Sequence, residues 1–139
     1  DDQLGELVAY FNRGLLDVPD GLLDRDARFS LNGVPYETYL GRSTDDPLVR
    51  LIARGPAGYR FVTQAVLRAV PGARATLAFD RATGAATLSL AGTLRGSTDA
   101  FDARIAIALT TGPGDSIVEA NLTVEEALLA LLKDARARP

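Results

Sequence analysis

The residues that could do chemistry in this chain are carboxylates, tyrosines and arginines, because the sequence contains no cysteine and no histidine. Without a thiol or an imidazole, the chain cannot form a Ser-His-Asp or Cys-His triad, a zinc site of the usual Cys/His type or a redox pair. General acid–base catalysis would have to come from Asp, Glu, Tyr, Lys or water. We therefore expect no metal site and no cofactor.

The first candidate group is the segment Tyr36-Glu37-Thr38-Tyr39, in which a carboxylate lies between two phenols. If Glu37 were buried, desolvation would raise its pKa and it could act as a general base. The alternative is a strand at the rim of the fold whose aromatic side chains shield the core while Glu37 faces water, since an unpaired glutamate is rarely buried.

A second candidate pair is Asp102 and Arg104, which are separated by one residue in a stretch of alternating hydrophobicity. Alternate side chains of a strand point to the same face, so this pair could orient a water molecule or bind a carboxylate. The alternative is an ordinary ion pair on a solvent-exposed sheet face, where such pairs contribute little to stability.

Two polar residues near the C-terminal end, Glu119 and Asn121, share one face of a predicted strand with Ile117 and Thr123. If that face lines a cavity, Glu119 and Asn121 become direct ligand contacts. If it points outward, they belong to a sheet surface or a dimer interface, since polar side chains usually stay hydrated.

The spacing of apolar residues predicts the elements that position these groups. An amphipathic helix begins at Leu4, and a second helical period runs from Tyr59 to Val70. Between them we predict a short helix or turn over 19–25, a strand over 27–31 that turns at Asn32-Gly33, a returning strand over 34–40 that Pro35 restricts to a sheet edge, and a short helix over 48–53. The period then changes to two, which predicts strands over 75–80, 86–95, 101–110 and 117–124, a hairpin connection over 81–84, and a closing helix over 125–137.

This order of elements predicts one α+β domain over residues 1–139, with the helices on one face of a single antiparallel sheet. A chain of 139 residues, 47% of them hydrophobic, is long enough to bury one core. The formal net charge of −3 does not favour nucleic acid, and no apolar run approaches the roughly 18–20 residues that a membrane span needs. We expect a cytoplasmic protein that neither binds nucleic acid nor inserts into a membrane, with a secreted or processed form as the alternative.

Four segments resemble, in order, phrases of one protein superfamily. Residues 10–17 (YFNRGLLD) resemble the end of its first helix, 22–29 (LLDRDARF) the entry into its first strand, 67–72 (LRAVPG) the end of its third helix and 114–119 (GDSIVE) the entry into its last strand. On these motifs the chain resembles the nuclear-transport-factor-2-like superfamily, in particular its SnoaL-like and ketosteroid-isomerase-like branch. The resemblance implies a cystatin-like roll, in which a cone-shaped, curved antiparallel sheet carries helices packed on its concave face.

The residues depart from the best-known chemistries of that superfamily. Where ketosteroid isomerase carries its base, its tyrosine and its acid, this chain has the aliphatic residues Leu31, Leu7 and Ile107. The histidines of scytalone dehydratase and of the polyketide cyclases are absent. The Asp-Arg-Asp device of limonene epoxide hydrolase is not excluded by the lack of histidine, because it needs no imidazole. Its nearest counterpart in this chain is Asp102 with Arg104.

The resemblance implies that the open end of the cone holds a small hydrophobic molecule. We expect a small-molecule-binding domain with an apolar cone-shaped pocket, which could catalyse cyclisation or isomerisation of a hydrophobic natural-product intermediate by shape and positioning. The alternative is a non-catalytic, dimerising ligand-binding or interaction module. The candidate catalytic residues are Glu37, Tyr59, Asp102 and Arg104. The candidate ligand-binding residues are Tyr10, Phe29, Leu31, Tyr36, Tyr39, Gln64, Glu119 and Asn121.

A homodimer is the assembly that the resemblance implies. One predicted sheet face carries small side chains that suit close packing of sheet on sheet. These residues are Thr87, Ser89, Ala91, Thr93, Ala106 and Ala108.

Overall fold

The computed structural model describes residues 2–19, 21–80 and 85–139 of the chain. Its helices are α1 (Asp2–Asn12), α2 (Tyr36–Tyr39), α3 (Val49–Ile52), α4 (Gly55–Ala69) and α5 (Glu126–Ala137). Its strands are β1 (Leu23–Leu31), β2 (Val34–Pro35), β3 (Arg74–Asp80), β4 (Ala85–Thr93), β5 (Ala100–Thr111) and β6 (Ile117–Thr123). The strands form one curved sheet in the order β2-β1-β6-β5-β4-β3, which does not close into a barrel. The predicted α+β class and cystatin-like roll are confirmed.

Strict alternation of burial along the strands separates two faces of the sheet. In β5 the side chains of Phe101, Ala103, Ile105 and Ile107 are buried, and the residues between them are exposed. We call the face that packs against α1, α4 and α5 the inner face, and the opposite one the outer face. Because the side-chain period of a strand is two, this alternation decides which candidate residues can meet inside the fold.

One pair of neighbouring strands differs from the predicted antiparallel arrangement. The last strand, β6, lies between β1 and β5, where it is antiparallel to β5 and parallel to β1. A short connection from β5 sets the direction of β6, whereas β1 reaches the rest of the sheet through the helical stretch that contains α3 and α4. Such a long crossover permits parallel pairing, which a hairpin cannot.

The first turn of the sheet is as predicted, but its flanking elements are shorter. Asn32 and Gly33 both have positive φ angles (53° and 78°), as a two-residue hairpin turn requires. The returning strand ends at Pro35, which has no N–H to donate, and residues 36–39 form helix α2 instead of continuing a strand to residue 40. The short helix or turn predicted over 19–25 is a turn at residues 21–22, and residues 23–25 already belong to β1; residue 20 and the hairpin connection 81–84 lie outside the described residues.

Helix α4 begins four residues earlier than the apolar period indicates. Arg54 is its N-cap in an extended conformation, and Pro56 occupies the first turn, where its fixed φ and missing N–H are tolerated. This helix has 15 residues, and no helix in the described part of the chain is long and apolar enough to span a membrane.

The side chains of Asn12 and Asn32 each form two hydrogen bonds with the backbone of one residue in another part of the chain, as a neighbouring strand would. Asn12, at the end of α1, donates from Nδ2 to the carbonyl of Ala75 (2.8 Å), and the amide of Ala75 donates back to Asn12 Oδ1 (2.6 Å). Asn32 forms the same two-bond contact with Val124, at 2.8 Å in both directions. The first contact fixes α1 on the edge strand β3, and the second fixes the β1–β2 turn on the residue that follows β6.

Candidate functional site

Five of the candidate residues lie together on the inner side of the sheet. Phe29, Tyr36 and Tyr59 are buried in one core cluster, and Tyr10 and Leu31 pack against it. They come from β1, α1, α2 and α4. We call these five residues the aromatic cluster.

Close packing of α4 on β1 brings the aromatic cluster together. At Gly58, a Cβ atom would lie 2.6 Å from the carbonyl oxygen of Ala53 and 2.8 Å from a ring carbon of Phe29. Only glycine therefore allows this approach without displacement of the neighbours. The next residue of α4 is Tyr59, which belongs to the same core cluster as Phe29.

The Tyr59 hydroxyl is anchored inside the fold. The side chain is 8% exposed, and Oη donates a long hydrogen bond (3.4 Å) to the carbonyl of Leu7 in α1. Burial raises the pKa of Tyr59, and a hydrogen bond with Thr63, one helical turn later, opposes that rise. The phenol therefore stays protonated at neutral pH and acts as a donor.

The Tyr36 hydroxyl differs, because it has no hydrogen-bond partner among the described residues and is not occluded by them. The residue is only 7% exposed. Burial raises the pKa of Tyr36, while the positive charge of Arg136 in α5 acts in the opposite direction. Tyr36 therefore presents a protonated hydroxyl whose donor is unused.

Glu37 forms a buried ion pair with Arg54. The two side chains are 3% and 11% exposed, and Arg54 Nη2 lies 3.0 Å from Glu37 Oε2. The backbone of Arg54 forms an isolated bridge to Arg28 of β1, which positions the guanidinium at this point. The Nε of Arg54 is occluded and has no partner within the described residues.

The pKa of Glu37 is lowered, contrary to the expectation of a buried base. Burial alone raises the pKa of Glu37, but hydrogen bonds from its own backbone amide, from Arg54 and from Thr44, together with the Arg54 charge, outweigh that effect. The alternative in which Glu37 faces water is also wrong, since the residue is 2% exposed. Glu37 is thus ionised at neutral pH and paired with Arg54, and a carboxylate with a lowered pKa is a poor general base.

The other two candidate catalytic residues, Asp102 and Arg104, lie on the outer face of the sheet. Both are exposed, and within the described residues they form no ion pair with each other or with another group. The alternation of β5 explains this placement, because their neighbours Phe101, Ala103 and Ile105 occupy the inner face. Asp102 and Arg104 are therefore separated from the aromatic cluster by the sheet itself.

Glu119 and Asn121 also lie on the outer face. The pairing register of β5 with β6 shifts between Thr110 and Thr111, so that Ile117 is buried while Glu119 is exposed. The prediction that Glu119 shares a face with Ile117 is wrong for this reason. Asn121 is half-buried, and its Oδ1 accepts a hydrogen bond from the amide of Gly33 (2.9 Å), which supports the β1–β2 turn.

Two more candidate ligand-binding residues do not join the aromatic cluster. Tyr39 is 47% exposed at the end of α2, and its hydroxyl donates to the carbonyl of Leu31 (3.0 Å). Gln64 is exposed on α4, next to the buried Thr63.

Arg54 and Thr63 also belong to this region, although neither is among the predicted site residues. Thr63 follows Tyr59 by four residues, which places both on the same side of a helix. This spacing could have predicted that Thr63 lies beside Tyr59. Arg54 precedes a Gly-Pro pair that looks like a loop, and its partner Glu37 is 17 residues away. No local pattern links those two residues.

A separate cleft of about 410 Å³ lies at the loop between β4 and β5. None of the candidate residues lines it. Its lining residues are Pro71, Thr93, Leu94, Arg95, Gly96, Ser97 and Pro139.

Comparisons with known proteins find similarity in structure and not in sequence. The sequence matches no protein-family model and no curated protein. Among solved structures, an NTF2-like protein from Exiguobacterium sp. 255-15 superposes with a TM-score of 0.60 at 12% identity, over 89% of this chain and 98% of that one. A bacterial protein with a cystatin-like fold from Silicibacter pomeroyi DSS-3 gives 0.55 at 16% identity, over 97% and 80%.

A third similar structure belongs to an enzyme. SalBIII, an epoxide hydrolase/cyclase-like enzyme with a role in pyran ring formation in the polyether salinomycin, superposes with a TM-score of 0.52 at 12% identity, over 91% of this chain and 90% of that one. At identities this low, the comparisons show a shared fold.

Proposed function

We propose, from the premise that this chain has the nuclear-transport-factor-2-like fold, that it binds a small hydrophobic molecule at the aromatic cluster. The observation that carries the proposal is the convergence of Tyr10, Phe29, Tyr36 and Tyr59 on the inner side of the curved sheet, with phenol hydroxyls inside apolar surroundings. Apolar walls with a few polar groups are typical of small-molecule sites.

Any reaction at this site would depend on positioning and on hydrogen-bond donation. The pKa values of Tyr36 and Tyr59 are raised by burial, so both phenols stay protonated at neutral pH. The Tyr59 hydroxyl donates to Leu7, which leaves Tyr36 as the free donor, and Glu37 is already paired with Arg54. Donors aimed at a developing negative charge, in a site that excludes water, can accelerate cyclisation or isomerisation. The structural likeness to SalBIII supports a hydrophobic natural-product intermediate as the substrate class.

The four tyrosines of the chain provide the test of ligand binding. Tyrosine-ring NMR signals, assigned with single Tyr-to-Phe variants, would be followed during titration with 2-isopropenylnaphthalene, 2-acetylnaphthalene and limonene. We expect saturable shifts for Tyr10, Tyr36 and Tyr59, and no shift for the exposed Tyr39, which serves as the internal control. Absence of saturable shifts in the three cluster tyrosines for all of these compounds would contradict the proposal.

We also propose that two copies pack through their outer sheet faces. The exposed centre of that face is built from small side chains: Ala106 lies opposite Thr87 and Thr123, and Ala108 lies opposite Asn121. Two such surfaces can approach closely and repeat the same contacts by two-fold symmetry.

Changing Ala106 to arginine should convert this dimer into a monomer, because a long charged side chain would hold the two faces apart. The measurement is sedimentation equilibrium of wild type and A106R, with A127R on the exposed side of α5 as the control for added charge. We expect twice the chain mass for wild type and A127R. A monomeric wild type, or an A106R variant that remains dimeric, would refute the outer face as the interface.

A further inference from the structure

The cleft beside the β4–β5 loop contains an arginine that is fixed in position but has no carboxylate partner. Arg95 lines the cleft and donates from Nε to the carbonyl of Arg138 (3.0 Å), while Arg138 Nη1 donates back to the carbonyl of Arg95 (3.0 Å). Arg138 is also paired with Asp134 (2.9 Å), whereas Arg95 forms no ion pair among the described residues. The reciprocal contact therefore holds the Arg95 guanidinium in place and leaves its two Nη groups available to a ligand.

Other residues that line the cleft also offer donors rather than acceptors. In the described part of the chain the Gly96 amide has no hydrogen-bond partner, and the Ser97 hydroxyl donates to no other group. The carbonyl oxygens of Leu94 and Arg95, by contrast, each accept a hydrogen bond from within the protein. Free donors beside occupied acceptors favour a ligand that brings acceptor oxygens.

The charge around the cleft is positive. The C-terminal ends of α4 and α5 meet here, because Arg95 donates from its amide to the carbonyl of Ala69 (2.8 Å) and from Nε to that of Arg138. Each helix end carries about half a negative charge. Arg68, in the last turn of α4, donates from Nε to a carbonyl in the last turn of α5 (2.9 Å) and, like Arg95, has no ion pair within the described residues. Asp99, on the same loop, does not line the cleft, so the two guanidinium charges outweigh the helix ends.

We propose that this cleft binds the carboxylate or phosphate group of a small organic molecule, with the Arg95 guanidinium as its anchor. The two Nη groups can donate side by side to two oxygens of either anion. The cleft volume of about 410 Å³ lies within the roughly 300–1,000 Å³ of small-molecule sites, and Pro71, Leu94 and Pro139 provide apolar surface for the rest of the molecule. None of these residues belongs to the aromatic cluster, so the inference does not depend on the proposed function.

The test uses three probes that share one ring. Benzoate and phenyl phosphate carry the two anionic groups, and benzamide has the shape of benzoate without its charge. Each would be titrated into the wild-type protein while the ¹H–¹⁵N signals of Gly96 and Ser97 are followed. We expect saturable shifts of both amides with at least one anion, weaker binding at high salt, and no shift with benzamide. The anion that binds more tightly identifies the anionic group of the ligand.

The variant R95Q tests the anchor, and R25Q is the matched control, because it removes an exposed arginine of β1 that has no ion pair in the described residues. Hydrogen bonds between charged groups are the stronger class, so the dissociation constant of the tighter anion should rise about tenfold or more in R95Q and stay unchanged in R25Q. The inference is overturned if neither anion shifts the Gly96 and Ser97 amides, if benzamide shifts them as benzoate does, or if R95Q binds like wild type. The wild-type titration decides the question even if R95Q does not fold.

Discussion

Replacing Arg54 with methionine is expected to lower the free energy of unfolding by roughly 3–5 kcal/mol at neutral pH. The substitution keeps most of the side-chain length but removes the positive charge 3.0 Å from Glu37. Glu37 is 2% exposed, so its carboxylate would remain buried without a countercharge, held only by hydrogen bonds from its own backbone amide and Thr44. The Nε of Arg54 is already unpaired, so its loss breaks no further hydrogen bond among the described residues. The loss of stability comes from the buried negative charge of Glu37, which no positive charge compensates in this variant.

The pH dependence of this variant should be opposite in sign to that of the wild type. In the wild type the folded-state pKa of Glu37 is lowered, so its contribution to stability is present above the unfolded-state pKa and is lost as the pH falls through the folded-state pKa. In R54M burial dominates and raises the pKa of Glu37, so the folded state takes up the proton first. The stability difference between the two proteins should therefore shrink as the pH falls from neutral towards about 4.3, the ordinary glutamate pKa.

Urea denaturation at several pH values measures both effects. The control is R42M, which removes the Arg42–Asp46 ion pair (2.9 Å), whose side chains are 38% and 26% exposed. A pair this exposed is worth about 0–1 kcal/mol, so R42M should remain close to wild type. If R54M loses no more stability than R42M, or if its deficit grows as the pH falls, the Glu37–Arg54 pair is not the buried interaction described above.

The positions of the strands along the chain were well predicted, because each strand is marked by a pattern within a short stretch of sequence. Alternating hydrophobicity located β3 to β6 within two residues at every end, and Asn32-Gly33 marked the turn. The parallel pairing of β1 with β6 and the register shift at Thr111 depend on contacts between residues far apart in the chain, so no short stretch of sequence encodes them. The separation of Glu119 from Ile117, which simple alternation placed on one face, follows directly from that register shift.

The candidate site was predictable in its apolar half and not in its polar half. Phe29 and Tyr59 fall on apolar periods of their elements, and a side chain on such a period points inward. For a polar residue, the sequence indicates which face of its strand or helix it lies on, but not which residue it pairs with in the folded protein. Glu37 illustrates this: its burial depends on Arg54, which is 17 residues away, and that partner reverses the direction of its pKa shift.

The close approach of α4 to β1, on which the aromatic cluster depends, should be disrupted by the change of Gly55 to alanine. Gly55 has a φ angle of +56°, and a Cβ atom there would overlap the carbonyl group of Arg25 in β1. A left-handed conformation costs a non-glycine residue roughly 1–2 kcal/mol, and overpacking adds roughly 1–3 kcal/mol. We therefore expect G55A to lower the free energy of unfolding by roughly 2–5 kcal/mol.

Gly72 separates these two contributions, because its φ angle is +73° but a Cβ atom there would meet nothing within 4 Å. G72A should therefore lose only the conformational part, roughly 1–2 kcal/mol, in the same urea denaturation experiment. The overlap in G55A can be relieved only if α4 moves away from β1, since the obstructing atoms are backbone. That movement should shift the ring signals of Tyr59 in G55A and leave them unchanged in G72A. Equal stability losses in the two variants would mean that α4 does not need the close contact with Arg25 to hold Tyr59 in the aromatic cluster.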